Sequence, residues 1–138
     1  MKDSANLHQK IQELCDCFAE SDILSEMSRM QTETPSEEAA LKWLALAMLH
    51  GIGNSAHEIT LKHDDQGVRV LAEYRLTDLP APPKEIAIAA VAALRKVTHI
   101  TEAKGKSPLA FGFRENSMDL SIKIKEGGGK CKATIGFP

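Results

Sequence analysis

The sequence carries one tripeptide with the chemistry of a nucleotide site, Gly-Lys-Ser at residues 105–107, which matches the end of a phosphate-binding loop. Such a loop also needs a glycine five residues before its second glycine and a helix directly after it. Position 100 is Ile100, and Pro108 follows the serine at once. A second stretch, Gly-Gly-Gly-Lys at residues 127–130, leads into Cys131 where Ser or Thr is required. We therefore predict that both stretches form turns and that neither is a phosphate-binding loop.

Histidines and cysteines are the remaining candidates for metal or acid–base chemistry. The five histidines lack the i, i+4 pairing of helical metal sites, although His57 and His63 flank one predicted strand and share a face. Cys15 and Cys17 would point about 200° apart on a helix and lack the C-x-x-C spacing of zinc sites. With a third thiol at Cys131, the odd count gives no disulfide framework. We predict free thiols, no metal site, no cofactor and no catalytic constellation, so that the chain is not an enzyme.

The balance of charge argues against a general nucleic-acid binder. The 138 residues carry a formal net charge of −2, and aromatic residues, which stack on bases, make up 4% of the chain. Four lysines of a predicted hairpin could contact phosphates or could protect a sheet edge against aggregation. They are Lys123, Lys125, Lys130 and Lys132. We favour the protected edge and expect no nucleic-acid partner.

The sequence predicts neither a membrane span nor a signal peptide. The longest apolar stretch, residues 44–49, is far shorter than the ~18 residues that a span requires. The first residues are polar and lack the apolar core of a signal peptide. We expect a cytoplasmic protein without membrane insertion.

The elements that must position these residues begin with three predicted helices. Apolar residues recur at three- and four-residue steps from about residue 4 to residue 20, and Ser21 is suited to cap a second, short helix. Thr-Pro-Ser-Glu at residues 34–37 has the spacing of a capping box, so we predict that Thr34 caps the third helix. Gly51 and Gly53 are predicted to end that helix.

Alternating apolar and polar residues predict strands in the rest of the chain. Residues 58–62 and 68–75 alternate around a hairpin turn at residues 64–67. Three prolines then lead into a helix with a predicted buried stripe of Ile86, Ala90, Ala93, Val97 and Ile100. Residues 109–113, 118–125 and 130–137 predict three more strands. The order, helices followed by β-β-α-β-β-β, predicts an α+β fold in which helices cover one face of a single antiparallel sheet.

Two of these strands carry a family resemblance. Residues 53–61 read Gly-Asn-Ser-Ala-His-Glu-Ile-Thr-Leu, and residues 67–79 read Gly-Val-Arg-Val-Leu-Ala-Glu-Tyr-Arg-Leu-Thr-Asp-Leu. They resemble the domain just before the motor core in the type II secretion and type IV pilus assembly ATPases. There, a helix ends in a Gly-Ala-Ser-Asp-Ile-His-Ile-Glu-like strand, and a Gly-x-x-Val-Arg-x-Arg-x-Asp-Gly-like strand, a proline-rich turn and a helix follow. This chain departs from the pattern at residues 58–60 and 77–78, and it lacks the motor core with its phosphate-binding loop.

The resemblance implies a PAS-like β-β-α-β-β domain over residues 35–138, preceded by a helical extension over residues 1–34. It further implies a non-catalytic adaptor or regulatory domain that docks to a motor ATPase domain, a second copy of itself or a membrane platform protein. Arg69 and Arg75 match two arginines of the family pattern. Together with Leu71 on the same strand face, they are predicted to form a docking surface.

Other interpretations stay open from the sequence. The face that holds Arg69, Leu71 and Arg75 could be an ordinary solvated sheet face. The domain could also be a small binding module, either a ligand sensor with an apolar pocket under the helix or an RNA-binding sheet. Phe111 and Phe113 would share one face, and an RNA-binding sheet would need that face to be uncovered.

Overall fold

The computed structural model describes residues 2–73, 77–113 and 116–138, which form four α-helices, one short 3₁₀ helix and six β-strands. The α-helices are α1 (Lys2–Phe18), α2 (Ile23–Arg29), α3 (Glu37–Gly53) and α4 (Lys84–Thr98), and the 3₁₀ helix is Met30–Thr32. The strands are β1 (Glu58–Asp64), β2 (Gly67–Ala72), β3 (Thr77–Leu79), β4 (Lys104–Phe113), β5 (Asn116–Gly127) and β6 (Lys130–Gly136). The predicted α+β class is confirmed, with one additional short strand, β3, that the alternation did not predict.

The six strands form one antiparallel sheet in the order β3-β2-β1-β6-β5-β4. The central strands are β1 and β6, and their register places Leu61 opposite Ala133. The edge strands are β3 and β4. Pro108 lies within β4, where a residue without an N–H is tolerated because one side of an edge strand forms no ladder of hydrogen bonds.

The helices pack against one side of the sheet, and α3 is the centre of that layer. From Ala39 to Gly51, every residue of α3 except Lys42 is buried. A helix that is apolar all round must be enclosed by other elements. Here α1, α2 and α4 contact α3, and α1, α3 and α4 also contact the sheet. Strand residues such as Ile59 and Ile122 complete the same apolar cluster.

The N-terminal helices contribute to that cluster as well. Their buried side chains are Leu7, Ile11, Cys15, Met27 and Met30. The predicted boundary at residue 34 lies in the exposed segment between the 3₁₀ helix and α3. The division into a helical extension and a domain stays a prediction.

Helix α3 begins two residues later than the capping box predicts. Its cap is Ser36, whose backbone is extended and whose Oγ accepts a hydrogen bond from the backbone N of Ala39 at 3.0 Å. Thr34 is therefore not the cap, and Pro35 lies before the cap instead of in the first turn. Thr34 and Ser36 each lie three residues before a backbone N–H that could be capped, so both are candidates. In the structure, the hydroxyl of Ser36 makes this hydrogen bond and sets the start of α3.

Helix α2 also differs from its predicted start. Asp22, and not Ser21, is the cap, and Asp22 Oδ1 accepts a hydrogen bond from the backbone N of Ser25 at 3.2 Å. A carboxylate at this position satisfies a free N–H group and also interacts favourably with the positive end of the helix dipole.

Replacing Ser36 by alanine is expected to lower the free energy of unfolding by about 1 kcal/mol, because the substitution removes the cap of α3. Thr34→Ala is the matched control, since Thr34 is exposed and outside the cap. We expect it to stay within about 0.5 kcal/mol of the parent. Urea denaturation of the parent and both variants measures the difference. A larger loss for Thr34→Ala would show that the helix begins at Thr34 after all.

Gly51 lies inside α3 and does not end it, contrary to the prediction. Its lack of a side chain makes room for the ring of Phe137, which a Cβ at this position would overlap. The helix ends at Gly53, and the next residue, Asn54, donates a hydrogen bond from Nδ2 to the carbonyl of His50 at 2.8 Å. Gly51 is therefore a contact point between α3 and the segment that follows β6.

Residues 105–107 belong to β4, so the turn predicted there is wrong. The preceding helix, α4, ends at Thr98, and His99 adopts a left-handed φ of 61°. This turn of the chain buries Ile100 against Gly105, where a Cβ would overlap the isoleucine side chain. The glycine of the Gly-Lys-Ser tripeptide thus has a packing role. The other glycine-rich stretch does form the predicted turn, with positive φ at Gly128 and Gly129.

Ala93→Leu is expected to cost about 1–2 kcal/mol of folding stability. Ala90 and Ala93 are 0% and 4% exposed, which confirms that the alanine stripe of α4 faces the core. A longer side chain would overpack this interface. Ala92→Leu, at an exposed position of the same helix, is the control and should be close to neutral. Thermal denaturation of both variants tests the orientation, and equal midpoints would contradict it.

Candidate functional site

Two of the three predicted docking residues lie on β2, on the side of the sheet opposite the helices. We call this side the outer face. It is formed by the strand residues that alternate with the buried ones, as the burial of β1, β2 and β6 shows. Arg69 is exposed and Leu71 is half-buried on this face. Arg75 lies outside the described residues, so its position relative to the other two stays a prediction.

Arg69 makes a two-point ion pair with Asp78 of the edge strand β3. Its Nε donates to Asp78 Oδ1 at 2.8 Å, and its Nη2 donates to Oδ2 at 3.3 Å. These hydrogen bonds lower the pKa of the Asp78 carboxyl and raise that of the Arg69 guanidinium. Both side chains are largely exposed, at 65% and 60%, so water screens the pair. The pair links β3 to β2 and orients the guanidinium across the outer face.

The register of the sheet places Arg69 in a row of five cations, which we call the cation row. Residues directly opposite one another in antiparallel strands point to the same side of the sheet. Following the pairing from β4 to β2, the members are Lys104, Lys125, Lys132, Lys62 and Arg69. All five side chains are exposed. Neighbouring strands lie about 4.8 Å apart, so the row extends about 19 Å across five strands.

More lysines lie beside the cation row on the outer face. Lys106 and Lys123 are directly opposite each other in the adjacent register position, and Lys130 lies at the start of β6. Among the ion pairs of the described residues, one includes a member of the row, namely Arg69 with Asp78. Like charges directly opposite each other destabilise a sheet. Folding stability alone therefore does not account for this arrangement.

The sheet order corrects one interpretation of these lysines. The basic hairpin was expected to protect a sheet edge, but its strands, β5 and β6, are interior strands flanked by β4 and β1. The sequence predicts that Lys123, Lys125, Lys130 and Lys132 form a basic group. The contributions of the other strands are not predictable in this way, because alternation within one strand does not indicate which residues of distant strands become neighbours.

The opposite end of the outer face is acidic. Glu58 begins β1, and Asp119 lies on β5, four and six residues before the row members of their strands. Because β1 and β5 run in the same direction, both carboxylates lie toward the same end of the strands. The outer face therefore has a cationic part and an acidic part.

The helix-covered side beneath the cation row holds His63 and Cys131, which are paired across β1 and β6. Burial lowers the pKa of His63, and Lys84 lowers it further. Burial and the nearby Glu126 raise the pKa of the Cys131 thiol to about 11. Cys15 is buried in the core, and desolvation raises its pKa to about 12. These two thiols are thus protonated near neutral pH and are weak nucleophiles and metal ligands.

In the described parts of the chain, no group of three or more His, Cys, Asp or Glu side chains is arranged to hold a metal ion. Phe111 is 1% exposed and belongs to the core, so its ring is not available to stack on a base. The side chain of Phe113 lies outside the described residues.

A ligand sensor would need an apolar pocket under α4. On that side of the helix, Ile86, Ala87 and Ala90 are fully buried in the apolar cluster.

Comparison with models of protein families and with curated protein sequences finds no match for this chain. Among the described helices, none is long and apolar enough to span a bilayer.

Proposed function

We propose that this chain is a non-catalytic docking domain, of the kind that precedes the motor core in secretion and pilus assembly ATPases, and that it binds its partner through the outer face. One observation carries the proposal: in the part of the chain that the structure describes, the helices pack against the other side of the sheet, and the cations of the outer face are exposed. The resemblance of residues 53–79 to the pre-motor domain supports the same conclusion.

The chemistry of the outer face suits a protein partner. Arginine is enriched in protein interfaces because its planar fork binds carboxylates at two points, as Arg69 does with Asp78. Leu71 adds a half-buried apolar side chain among charged neighbours. A face built on paired strands can bind a second surface with little movement of the backbone. A motor ATPase domain is the partner that we propose, and the role involves no turnover of ATP by this chain.

The test is direct binding to the purified motor core of a secretion or pilus ATPase from the same genome, measured by calorimetry. We expect a 1:1 complex with a dissociation constant on the order of 10 μM, in the range of transient signalling and adaptor contacts. Leu71→Glu should weaken binding at least tenfold. Ile88→Glu is the matched control, since Ile88 is exposed on α4, on the helix side.

Circular dichroism first establishes that Leu71→Glu and Ile88→Glu both fold. If the parent does not bind the motor core, or if Ile88→Glu weakens binding as much as Leu71→Glu does, the outer face is not the docking surface for a motor.

A further inference from the structure

The cation row is the feature of the outer face that most requires an explanation. Lys125 lies opposite both Lys104 and Lys132, and Lys62 lies opposite both Lys132 and Arg69. Each of these register pairs places like charges on adjacent strands, and among the ion pairs of the described residues only Arg69 of the row has a carboxylate partner, Asp78. Such an arrangement costs stability in the free protein, and a bound anionic partner would remove that cost.

We propose that the cation row binds an acidic helix of the partner protein, which lies across the strands along the row. This inference rests on the proposed docking function and names the chemistry of the docked segment. The partner helix carries carboxylates on one face, one per turn, and each carboxylate meets one cation of the row; at Arg69 the guanidinium is shared with Asp78.

The spacing of the row matches a helix better than an extended chain. Successive cations are about 4.8 Å apart, the distance between strands. One helical turn advances 5.4 Å, so carboxylates three or four residues apart stay near successive lysines over about four turns. Same-side residues of an extended strand lie about 6.8 Å apart and lose register after two positions. The flexible lysine stems absorb the small mismatch of a helix.

The rest of the outer face favours a protein over a continuous polyanion. A membrane surface or a long nucleic acid covering the face would also meet the acidic end at Glu58 and Asp119. No aromatic side chain lies on the outer face of the described strands, so bases find no stacking platform. A helix along the row contacts the cationic part alone. Asp64, two residues after Lys62 on the same face of β1, lies at the border of the cationic part, and its Oδ1 accepts a hydrogen bond from the backbone N of Gln66 at 2.8 Å.

The test uses a synthetic helical peptide of about 18 residues with glutamates at i, i+4 and i+7 on one face, and a scrambled peptide of the same composition. We expect the patterned peptide to bind the full chain at about 0.05 M salt, at least tenfold more tightly than the scrambled one. Raising the salt to about 0.5 M should abolish this binding, because exposed charges are screened.

The decisive variant is Lys125→Gln with Lys132→Gln at the centre of the row. It should weaken peptide binding at least tenfold and leave the thermal midpoint equal or higher, since it removes a repulsion. If Lys125 and Lys132 had a purely structural role, their substitution would lower the thermal midpoint instead. Lys10→Gln with Lys96→Gln is the control, because both lysines are exposed on helices and the change in net charge is the same.

Equal binding of the two peptides, or peptide binding unchanged by Lys125→Gln with Lys132→Gln, would overturn the inference. A 20-base-pair DNA duplex and vesicles of anionic phospholipid are tested in parallel, and tighter row-dependent binding of either would also overturn it. The failures of the two proposals are distinguishable. If Leu71→Glu weakens binding of the motor core but Lys125→Gln with Lys132→Gln does not, the docking function stands and the acidic helix is contradicted. A motor core that does not bind at all removes the docking function, whatever the peptides do.

Discussion

Replacing Trp43 by alanine is expected to lower the free energy of unfolding by about 3–5 kcal/mol. Trp43 is 1% exposed, is among the largest buried side chains and lies in α3, the helix that the other three helices enclose. Removing an indole from this position leaves a cavity that the surrounding helices cannot fill. Urea denaturation with an unchanged slope would measure the loss, and a loss below about 1 kcal/mol would contradict the central position of α3.

Trp43→Phe should cost much less, about 1 kcal/mol or below. The indole Nε1 is buried, and among the described residues no acceptor lies within hydrogen-bonding distance. A buried donor without a partner itself costs about 1–3 kcal/mol, and phenylalanine removes the donor while keeping most of the apolar volume. If Trp43→Phe and Trp43→Ala were equally destabilising, the Nε1 group would have a stabilising partner.

Arg95→Ala is expected to cost about 2–3 kcal/mol, through a contact that joins three elements. From α4, Arg95 Nη1 donates to the carbonyls of Ile100 and Glu102 at 3.1 and 2.8 Å, and Nε and Nη2 donate to Glu126 Oε1 of β5 at 3.0 and 2.7 Å. Its side chain is only 21% exposed. Hydrogen bonds from a charged donor contribute more than neutral ones, whereas the half-exposed Glu126 is screened by water.

Arg95→Lys separates geometry from charge. Lysine keeps the positive charge but cannot reach the two carbonyls and the carboxylate at once, because its donors share a single nitrogen. We expect Arg95→Lys to restore less than half of the free energy of unfolding that Arg95→Ala loses. Lys96→Ala, at the next and exposed position, is the control and should be nearly neutral. Full rescue by lysine would show that the charge, and not the planar fork, stabilises the loop.

The sequence predicted the parts of the fold that depend on local periodicity. The antiparallel sheet and the inward-facing Ala90 and Ala93 of α4 are of this kind. The predicted start of α3 was wrong because Thr34 and Ser36 are both good caps, and the hydroxyl of Ser36 is the one that accepts from a first-turn N–H, that of Ala39. Strand β3 was missed because three residues are too few to show alternation.

The candidate site was harder to predict, because it depends on strand register. Arg69 and Leu71 were identified on one strand, but Lys62, Lys104 and Lys132 reach the same row from three other strands. Nothing in the local pattern around Lys104 indicates that its neighbour across the sheet is Lys125. The pairing of distant strands is set by the packing of the whole core, and the cation row is a consequence of that pairing. The resemblance to a pre-motor domain stays a prediction.

The pairing of β1 with β6 sets the order in which the molecule can fold. Thr60 and Thr134, which face each other at the centre of the sheet, are 74 positions apart in the chain. The hairpins β1–β2 and β5–β6 can form from local contacts within microseconds, but they remain two separate half-sheets until β6 meets β1. During synthesis, one edge of β1 therefore has no strand partner until β6 has emerged, and an unpaired strand edge of this kind can pair with another chain.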